Sequence, residues 1–130
     1  MDKELYVAAL AARENAYAPY SNFKVGAALK TTEGRIFCGA NIENGSYGLT
    51  SCAERNAIFN AVSSGCTKFA TLCVVADTAQ PVRPCGACLQ VMAEFKIQEI
   101  IMTNCQGESK RVLLSELLPY GFQLSNKNEE

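Results

Sequence analysis

Three cysteines stand at positions that suit a metal centre. Cys85 and Cys88 are three residues apart directly after Pro84, and a proline at this point is typical of a helix start. Cys52 begins another predicted helix, and a helix N-terminus carries about +0.5 of a charge, which favours thiolate over thiol. Three thiolates from two helix starts can bind one zinc ion. Because tetrahedral zinc with three protein ligands keeps its fourth position for water, the pattern predicts a catalytic site with one zinc per chain.

Glu54 and Arg55 follow Cys52 closely enough to serve the same site. Three thiolates around Zn²⁺ leave an excess negative charge, which two helix N-termini and the Arg55 guanidinium would offset. The pKa of a zinc-bound water can then come near ~7, against ~15.7 in bulk water. Glu54 can reach that water without binding the metal, so the pattern predicts a carboxylate that transfers protons beside the metal.

Each of these residues also has a structural interpretation. Ser51 and Glu54 have the spacing of a capping box, in which the glutamate would stabilise the helix start. Cys85 and Cys88 alone could form a thioredoxin-like dithiol. A structural zinc would need a fourth thiol, but the other cysteines lack the paired spacing of zinc ligands and are expected in the apolar core. Those cysteines are Cys38, Cys66, Cys73 and Cys105.

The composition excludes several other kinds of site. The chain has no histidine, which excludes Ser-His-Asp triads, Cys-His nucleophiles and histidine-ligated zinc. Lysine and arginine number 12, aspartate and glutamate number 13, and this balance argues against nucleic-acid and membrane partners. The charged N-terminus lacks the apolar segment of a secretory signal, and no apolar run approaches the ~20 residues of a membrane span. We therefore expect a cytoplasmic protein with reduced thiols.

The elements that must position these residues follow from hydrophobic periodicity and turn signals. Their predicted order is helix, strand, strand, helix, strand, helix, strand, strand, helix. The predicted strands are 24–29, 35–40, 69–76, 99–103 and 110–113, and 41–50 is expected to be a loop. The predicted helices are 3–16, one from Ser51 up to Gly65, 85–95 and a short one capped by Ser115.

This order favours an α/β fold, a three-layer α/β/α sandwich around a mixed five-stranded sheet. The helix between the third and fourth strands predicts a right-handed crossover and a parallel pair. The tight turns at both ends predict antiparallel pairs. At 130 residues the chain has the length of a single domain, 1–130, and its polar tail from Asn126 to Glu130 is expected to fray.

Five blocks of sequence resemble the small homotetrameric cytidine deaminases, whose fold would then be expected here. C-x-E followed by P-C-x-x-C is the signature of zinc-dependent nucleoside and nucleobase deaminases, including a three-cysteine form. Leu117-Leu118-Pro119 with Phe122 resembles their C-terminal segment. The blocks are Tyr17-Ala18-Pro19-Tyr20-Ser21, Phe23-Lys24-Val25-Gly26-Ala27-Ala28-Leu29, Asn41-Ile42-Glu43-Asn44, Cys52-Ala53-Glu54-Arg55 and Pro84-Cys85-Gly86-Ala87-Cys88.

The resemblance implies roles for the residues of the metal centre. Cys52, Cys85 and Cys88 match the zinc ligands of the family. Glu54 matches the residue that transfers the proton, and Arg55 matches a residue that hydrogen-bonds the ligand thiolates.

The resemblance also implies contacts with a nucleoside. Asn41 and Glu43 match the pair that holds the ribose hydroxyls, and Phe23 matches an aromatic residue beside the pyrimidine. Without the resemblance, Asn41 would be a turn former and Phe23 a core residue. Ile42 and Ala53 lie inside the matching blocks and are expected at the substrate.

Two further aromatic residues imply an assembly. Tyr47 and Phe122 match positions that lie near a neighbouring subunit's site, which implies a homotetramer with shared active sites. One position departs from the family, because many relatives carry arginine where this chain has Leu89. That departure leaves Arg55 as the cation of the metal centre.

The expected reaction is hydrolytic deamination of cytidine and 2'-deoxycytidine to uridine and 2'-deoxyuridine, with release of ammonia. A deaminase of a modified cytosine nucleoside such as blasticidin S is the nearest alternative, and the Asn41-x-Glu43 pair favours an ordinary ribose. A nucleic-acid-binding module and a structural zinc module are the alternatives from other classes. The charge balance argues against the first, and the second would not need Glu54. A free nucleoside is expected because Glu43 would repel a phosphate.

Overall fold

Five strands form one sheet in the computed structural model, which describes residues 1–124. The order in the sheet is β2-β1-β3-β4-β5. β3 and β4 pair in parallel and the other neighbours are antiparallel, so the predicted mixed five-stranded sheet is confirmed. The tail 126–130, for which the sequence predicts fraying, lies outside the described residues. The strands are β1 (Val25–Thr31), β2 (Ile36–Ala40), β3 (Phe69–Ala76), β4 (Glu99–Asn104) and β5 (Ser109–Leu113).

Helices cover both faces of this sheet, which confirms the three predicted layers. The first helix packs on one face, and the second and third pack on the other. Within residues 1–124, no helix is long and apolar enough to cross a membrane. The helices are α1 (Lys3–Arg13), α2 (Ala53–Ser63), α3 (Gly86–Glu94) and α4 (Leu114–Leu117), and the predicted loop 41–50 contains a 3-10 helix, Tyr47–Leu49.

β3 is buried on both faces, as its continuous apolar sequence predicts. Successive side chains of a strand point to opposite faces. Leu72 and Val74 accordingly belong to the core beneath α2 and α3, whereas Cys73 and Val75 belong to the core beneath α1. The strand thus joins both apolar cores at the centre of the sheet.

The remaining cysteines contribute to these cores to different extents. Cys73 is fully buried, as predicted. Cys38, Cys66 and Cys105 are half-buried and pack at the edges of the two cores. All seven cysteines lie within residues 1–124 and are free thiols.

Two predicted helix ends are wrong, and the others agree within two residues. α1 ends at Arg13 rather than residue 16, because the chain tightens there and the Tyr17 amide then donates to the Asn41 carbonyl at 2.9 Å. Ser115 does not cap α4. β5 runs directly into that helix, so the N-cap is Leu113, whose amide donates to the Glu116 carboxylate at 3.0 Å.

β2 lies against the backbone of α2 at Gly39. A Cβ at this glycine would lie 2.3 Å from the Ala57 nitrogen and 2.5 Å from the Ala53 oxygen. Only a residue without a side chain fits there. The helix that begins at Cys52 is therefore held close to the strand that ends at Ala40.

Candidate active site

The three cysteine thiols that the sequence singles out come together between two helix starts. Cys52 is the N-cap of α2, Cys85 is the N-cap of α3, and Cys88 lies in the first turn of α3. The Sγ atoms of Cys52 and Cys85 are 3.8 Å apart, and those of Cys85 and Cys88 are 3.5 Å apart. All three Sγ atoms lie within 4.8 Å of one another. Both helix N-termini point their positive ends at this cluster.

The cluster fits a zinc ion by donor type and by spacing. Sulfurs bound to tetrahedral zinc at ~2.3 Å lie ~3.8 Å apart, and the two sulfur separations given above are close to that value. Among residues 1–124, these three cysteines are the group of possible ligand atoms that meets in this way. The absence of a fourth ligand among them argues against a structural four-cysteine zinc. A third thiol beside Cys85 and Cys88 also argues against a simple dithiol.

Arg55 supplies positive charge to the cluster. Its Nη2 donates to the Cys52 Sγ at 3.3 Å, whereas its Nε is buried and has no hydrogen-bond partner within the described residues. The pKa of Cys52 is lowered to about 5, first by the hydrogen bond from Cys88 and then by the one from Arg55. The pKa of Cys88 is raised, because its proton is held by the Cys52 sulfur and the group is buried. The Arg55 guanidinium thus lies where it can balance negative charge on the Cys52 sulfur.

Glu54 is buried beside the thiols, with 4% of the residue exposed. Burial raises the pKa of its carboxyl group to about 7. The predicted capping box with Ser51 is wrong, since α2 begins one residue later and its N-cap, Cys52, makes no side-chain capping bond. The Ser51 hydroxyl instead donates to the Asn56 carboxamide at 2.8 Å.

Glu43 is held by a segment that lies more than twenty residues earlier in the chain. Its Oε1 accepts the backbone amides of Tyr20 at 2.9 Å and Ser21 at 3.1 Å, and its Oε2 accepts the Ser21 hydroxyl. These bonds, the Ser21 hydroxyl first, lower the pKa of Glu43. The carboxylate is therefore charged and fixed in direction.

Asn41 is buried and ties down the chain around Phe23. Its Nδ2 donates to the Phe23 carbonyl at 2.7 Å, and its Oδ1 accepts the Val25 amide at 2.9 Å. Phe23 itself is exposed, so its interpretation as a core residue is wrong. Asn41 therefore fixes the backbone on both sides of Lys24, and its Oδ1 keeps a second lone pair.

A cavity of about 220 Å³ opens beside Glu43. The rings of Tyr20 and Tyr47 meet edge to face across it, with centroids 6.2 Å apart. Ile42, Tyr47 and Phe122 are all exposed, whereas Ala53 is buried at the start of α2. The cavity is lined by Tyr20, Ser21, Glu43, Asn44, Tyr47 and Thr50.

Sequence reasoning missed two residues that hold other parts of the site. The Gln90 carboxamide donates to the Phe122 carbonyl at 2.8 Å and accepts the Phe122 amide at 3.1 Å. Asn56 bonds the Ala40 carbonyl at 2.7 Å. Both residues stand close to the metal ligands in the sequence, and that closeness is the signal that could have found them.

Comparison with known proteins identifies the family. Residues 1–104 match the family described as the cytidine and deoxycytidylate deaminase zinc-binding region. The chain is 49% identical to the cytidine deaminase of Halalkalibacterium halodurans, over 99% of this chain and 100% of that protein. It also resembles the crystal structure of cytidine deaminase from Burkholderia pseudomallei, with a TM-score of 0.90 and 51% identity over 94% of this chain and 99% of that one.

A more distant similarity bears on the alternative activity. The blasticidin-S deaminase of Bacillus cereus is 30% identical over 75% of this chain and 76% of that protein. The cytidine deaminases match at higher identity and over more of the chain, so the similarity favours them. The three clustered thiols, the buried Glu54 and these matches together show that the chain belongs to the cytidine and deoxycytidylate deaminase family.

Proposed function

We propose that this chain hydrolyses cytidine and 2'-deoxycytidine to uridine and 2'-deoxyuridine. Water replaces the amino group at C4 of the pyrimidine, and ammonia leaves. The observation that carries the proposal is the convergence of three helix-start thiols beside one buried carboxyl group. The full-length similarity to proteins named cytidine deaminase supports the choice of substrate.

Cys52, Cys85 and Cys88 would hold one zinc ion per chain. When bound, zinc would supply Lewis acidity toward the attacking water. Arg55 would offset the negative charge of the thiolates, since its Nη2 already lies 3.3 Å from the Cys52 sulfur. Leu89 is buried in the core beneath α3 and adds no charge to the site, so this task rests on Arg55 and the two helix N-termini.

Glu54 would move the protons of the reaction. Its carboxyl group has a pKa raised to about 7 by burial, so both protonation states are accessible at neutral pH. It can accept a proton from the attacking water and donate to N3 of the pyrimidine, then help to protonate the leaving amine. Because the group is buried, bulk water does not compete for these protons.

Glu43 and Asn41 would bind the sugar hydroxyls, and Phe23 would lie beside the base. Ile42 and Ala53 would contact the substrate through their backbones. The Glu43 carboxylate is held in one direction by three hydrogen bonds, which suits recognition of a hydroxyl donor. The same fixed negative charge would repel a phosphate. A nucleoside is therefore the expected substrate, rather than a nucleotide or a nucleic acid.

A homotetramer would complete the active site. Tyr47 and Phe122 are exposed in the single chain, with 77% and 71% of each residue accessible. Burying aromatic side chains of this size in a subunit interface would stabilise the association. We expect each of these two residues to lie near the substrate of a neighbouring subunit. We also expect a cytoplasmic enzyme with reduced thiols.

An absorbance assay tests the proposal. The protein is assayed on cytidine and on cytidine 5'-monophosphate, with a matched sample treated with a zinc chelator and then given zinc again. We expect turnover of cytidine, ammonia release in equal amount, little use of the monophosphate, and loss and recovery of activity with zinc. Turnover that survives complete metal removal would contradict the zinc assignment, and equal use of the monophosphate would contradict the nucleoside assignment.

A further inference from the structure

A side-chain amide links the helix of the metal centre to the strand end that leads to Glu43. Asn56 lies in α2, four residues after Cys52 and two after Glu54. Its Nδ2 donates to the Ala40 carbonyl at 2.7 Å, and its Oδ1 accepts the Ser51 hydroxyl at 2.8 Å. The carboxamide therefore uses both its donor and its acceptor to join segments that flank the site.

The two segments that Asn56 bonds are themselves joined by a backbone bridge, which lies two residues after Ala40 and at Ser51 itself. Ala40 ends β2 directly before Asn41. Ile42 and Ser51 then exchange two backbone hydrogen bonds, both of 3.0 Å. Asn56 thus bonds both segments of this short bridge, Ala40 on one and Ser51 on the other. Glu43 is the residue that follows Ile42.

A second amide on the same helix makes a similar bond further from the sugar residues. The Asn60 Nδ2 donates to the Cys38 carbonyl at 3.3 Å. Gly39 lies between the two bonded carbonyls, where β2 meets the helix backbone. β2 is therefore held to α2 on both sides of Gly39, and the Asn56 bond is the one beside the Asn41–Glu43 segment.

We propose that Asn56 is a positioning residue that keeps the Asn41–Glu43 segment at a set distance from Cys52 and Glu54. The sugar hydroxyls and the C4 amine of a nucleoside are separated by a nearly rigid framework. Groups that bind one end and react at the other must keep a matching separation, because small displacements lower the rate strongly. The inference rests on the proposed function, since it requires Glu43 at the sugar and Glu54 at the base.

Two variants of Asn56 and one of Asn60 separate this role from a general structural one. Asn56→Asp keeps the size and the acceptor for Ser51 but turns a carboxylate oxygen toward the Ala40 carbonyl. Asn56→Ala removes the bonds and adds no charge, so it serves if the aspartate variant does not fold. Asn60→Asp is the matched control, because it makes the same change on the same helix at the Cys38 bond.

The readout is the ratio of kcat/KM for cytidine to kcat/KM for 2',3'-dideoxycytidine, which lacks the 2' and 3' hydroxyls of the sugar and keeps the 5' hydroxyl. Each Asn56 variant is expected to lower this ratio about 10-fold or more, the scale of a lost hydrogen bond to a charged group, by slowing cytidine alone. Asn60→Asp is expected to leave the ratio within about twofold, since it lies away from the sugar segment. Zinc content, measured by elemental analysis, is expected to stay at the wild-type value in all three variants.

Equal losses on both substrates, or an unchanged ratio, would overturn the positioning role of Asn56. Glu43→Gln, measured in parallel, distinguishes this failure from failure of the sugar assignment. If Glu43→Gln lowers the ratio and the Asn56 variants do not, only the positioning inference fails. If Glu43→Gln leaves the ratio unchanged, Glu43 does not bind the sugar, and the inference fails together with that part of the proposed function.

Discussion

The surroundings of Glu54 decide its chemistry at the scale of a single residue. The carboxyl group is buried at the start of α2, and burial disfavours its charged form, so its pKa rises to about 7. A general acid or base works best when its pKa lies near the working pH. The shift of the first turn of α2 by one residue leaves the carboxyl group without the capping role that its spacing from Ser51 predicts.

Glu54→Gln should remove proton transfer and leave the fold intact. Glutamine has nearly the same size, but it cannot take up or release a proton in this range. We expect deamination of cytidine to fall by about 10²- to 10⁴-fold, with unchanged zinc content and a similar melting temperature. Steady-state kinetics, elemental analysis and a thermal melt measure the three quantities. A variant that loses stability but keeps its turnover would show that the main role of Glu54 is structural.

Replacing any one metal-centre cysteine should release the metal. Cys52→Ala, Cys85→Ala and Cys88→Ala each leave two thiolates, too few to retain zinc against a competing chelator. We expect less than a tenth of the wild-type zinc content. Replacing a residue that only hydrogen-bonds a metal ligand already lowers metal affinity about 10- to 100-fold, and the loss of a ligand should lower it at least as much. Cys105→Ala is the control, because this half-buried thiol lies outside the cluster. Full zinc content in any of the three variants would exclude that thiol as a ligand.

At the scale of the elements, the starts of α2 and α3 place the clustered cysteines, and the packing of α1 supports the sheet from its other face. Two helices begin at Cys52 and Cys85, so both thiols stand where backbone amides are unpaired and the helix dipole is positive. α1 serves the opposite face of the sheet, where it anchors the fold. Asp2 is its N-cap, with Oδ1 accepting the Leu5 amide at 3.1 Å and Oδ2 accepting the Lys30 ammonium of β1.

The docking of α1 should weaken in acid through Asp2. The hydrogen bond from Lys30, followed by that from the Leu5 amide, holds the pKa of Asp2 below its ordinary value of 3.8. The unfolded chain therefore takes up the proton first, and the stabilisation that is present above pH 3.8 is lost as the pH falls through the folded value. Asp2→Asn keeps a capping oxygen but loses the ion pair.

We expect Asp2→Asn to lower the free energy of unfolding at neutral pH by up to about 1 kcal/mol, with a smaller difference from wild type in acid. Urea unfolding at a series of pH values measures this. A Lys30→Gln background is the control, since the substitution should have less effect once the partner is gone. An effect of equal size in that background would assign the stabilisation to the negative charge of Asp2 at the helix N-terminus rather than to the ion pair with Lys30.

For the molecule as a whole, the exposed aromatic residues near the candidate site bear on how the chains assemble. Tyr20 and Tyr47 flank the cavity beside Glu43, and Phe122 lies on the C-terminal segment that Gln90 of α3 holds through two hydrogen bonds. Gln90 is two residues from Cys88, so the position of Phe122 is tied to the metal centre. These exposed aromatic rings would be covered by other apolar groups only if the chains assemble.

Phe122→Ala should weaken catalysis without breaking the assembly. The Gln90 bonds reach the backbone of Phe122, so removing the ring leaves the segment anchored. We expect light scattering to give four times the chain mass of 14.1 kDa for both proteins. We expect kcat/KM for cytidine to fall about 10-fold, because a buried aromatic anchor typically contributes this much or more. Leu124→Ala, on the same exposed segment, is the control.

Two outcomes would contradict this account of the assembly. Full specific activity in a species of 14.1 kDa would exclude both the tetramer and the shared site. Unchanged turnover and affinity in an intact Phe122→Ala tetramer would exclude only the contribution of the ring. The interface of such an assembly is expected to bury more than ~2,000 Å² in total.

Local patterns in the sequence determined the elements, the layers and the two helix starts that carry the clustered cysteines. Phe69–Ala76 reads as a doubly buried strand because it is continuously apolar, and β3 has those bounds. Cys85 and Cys88 are recognisable as a pair because helix geometry places residues three apart on one face. Their link to Cys52 and Glu54 comes from the resemblance to the deaminase signature, C-x-E followed by P-C-x-x-C. Such patterns within one strand or one helix start depend on near neighbours in the chain, whereas the meeting of Cys52 with Cys85 is a tertiary contact.

Only the tertiary structure decided which distant segments hold the site in place. Glu43 bonds Tyr20 and Ser21, and Asn56 bonds Ala40, across separations of 16 to 23 residues. The start of α2 at Cys52 rather than Ser51 has the same origin, since the Ser51 backbone pairs with Ile42 and its hydroxyl bonds Asn56. Each polar group of this kind has several possible partners in the sequence. For Asn56, packing of β2 against α2 selects the Ala40 carbonyl, because a polar group that loses contact with water must be paired where the folded chain leaves it. Glu43 lies nearer the surface, and its partners follow from where the folded chain places Tyr20 and Ser21.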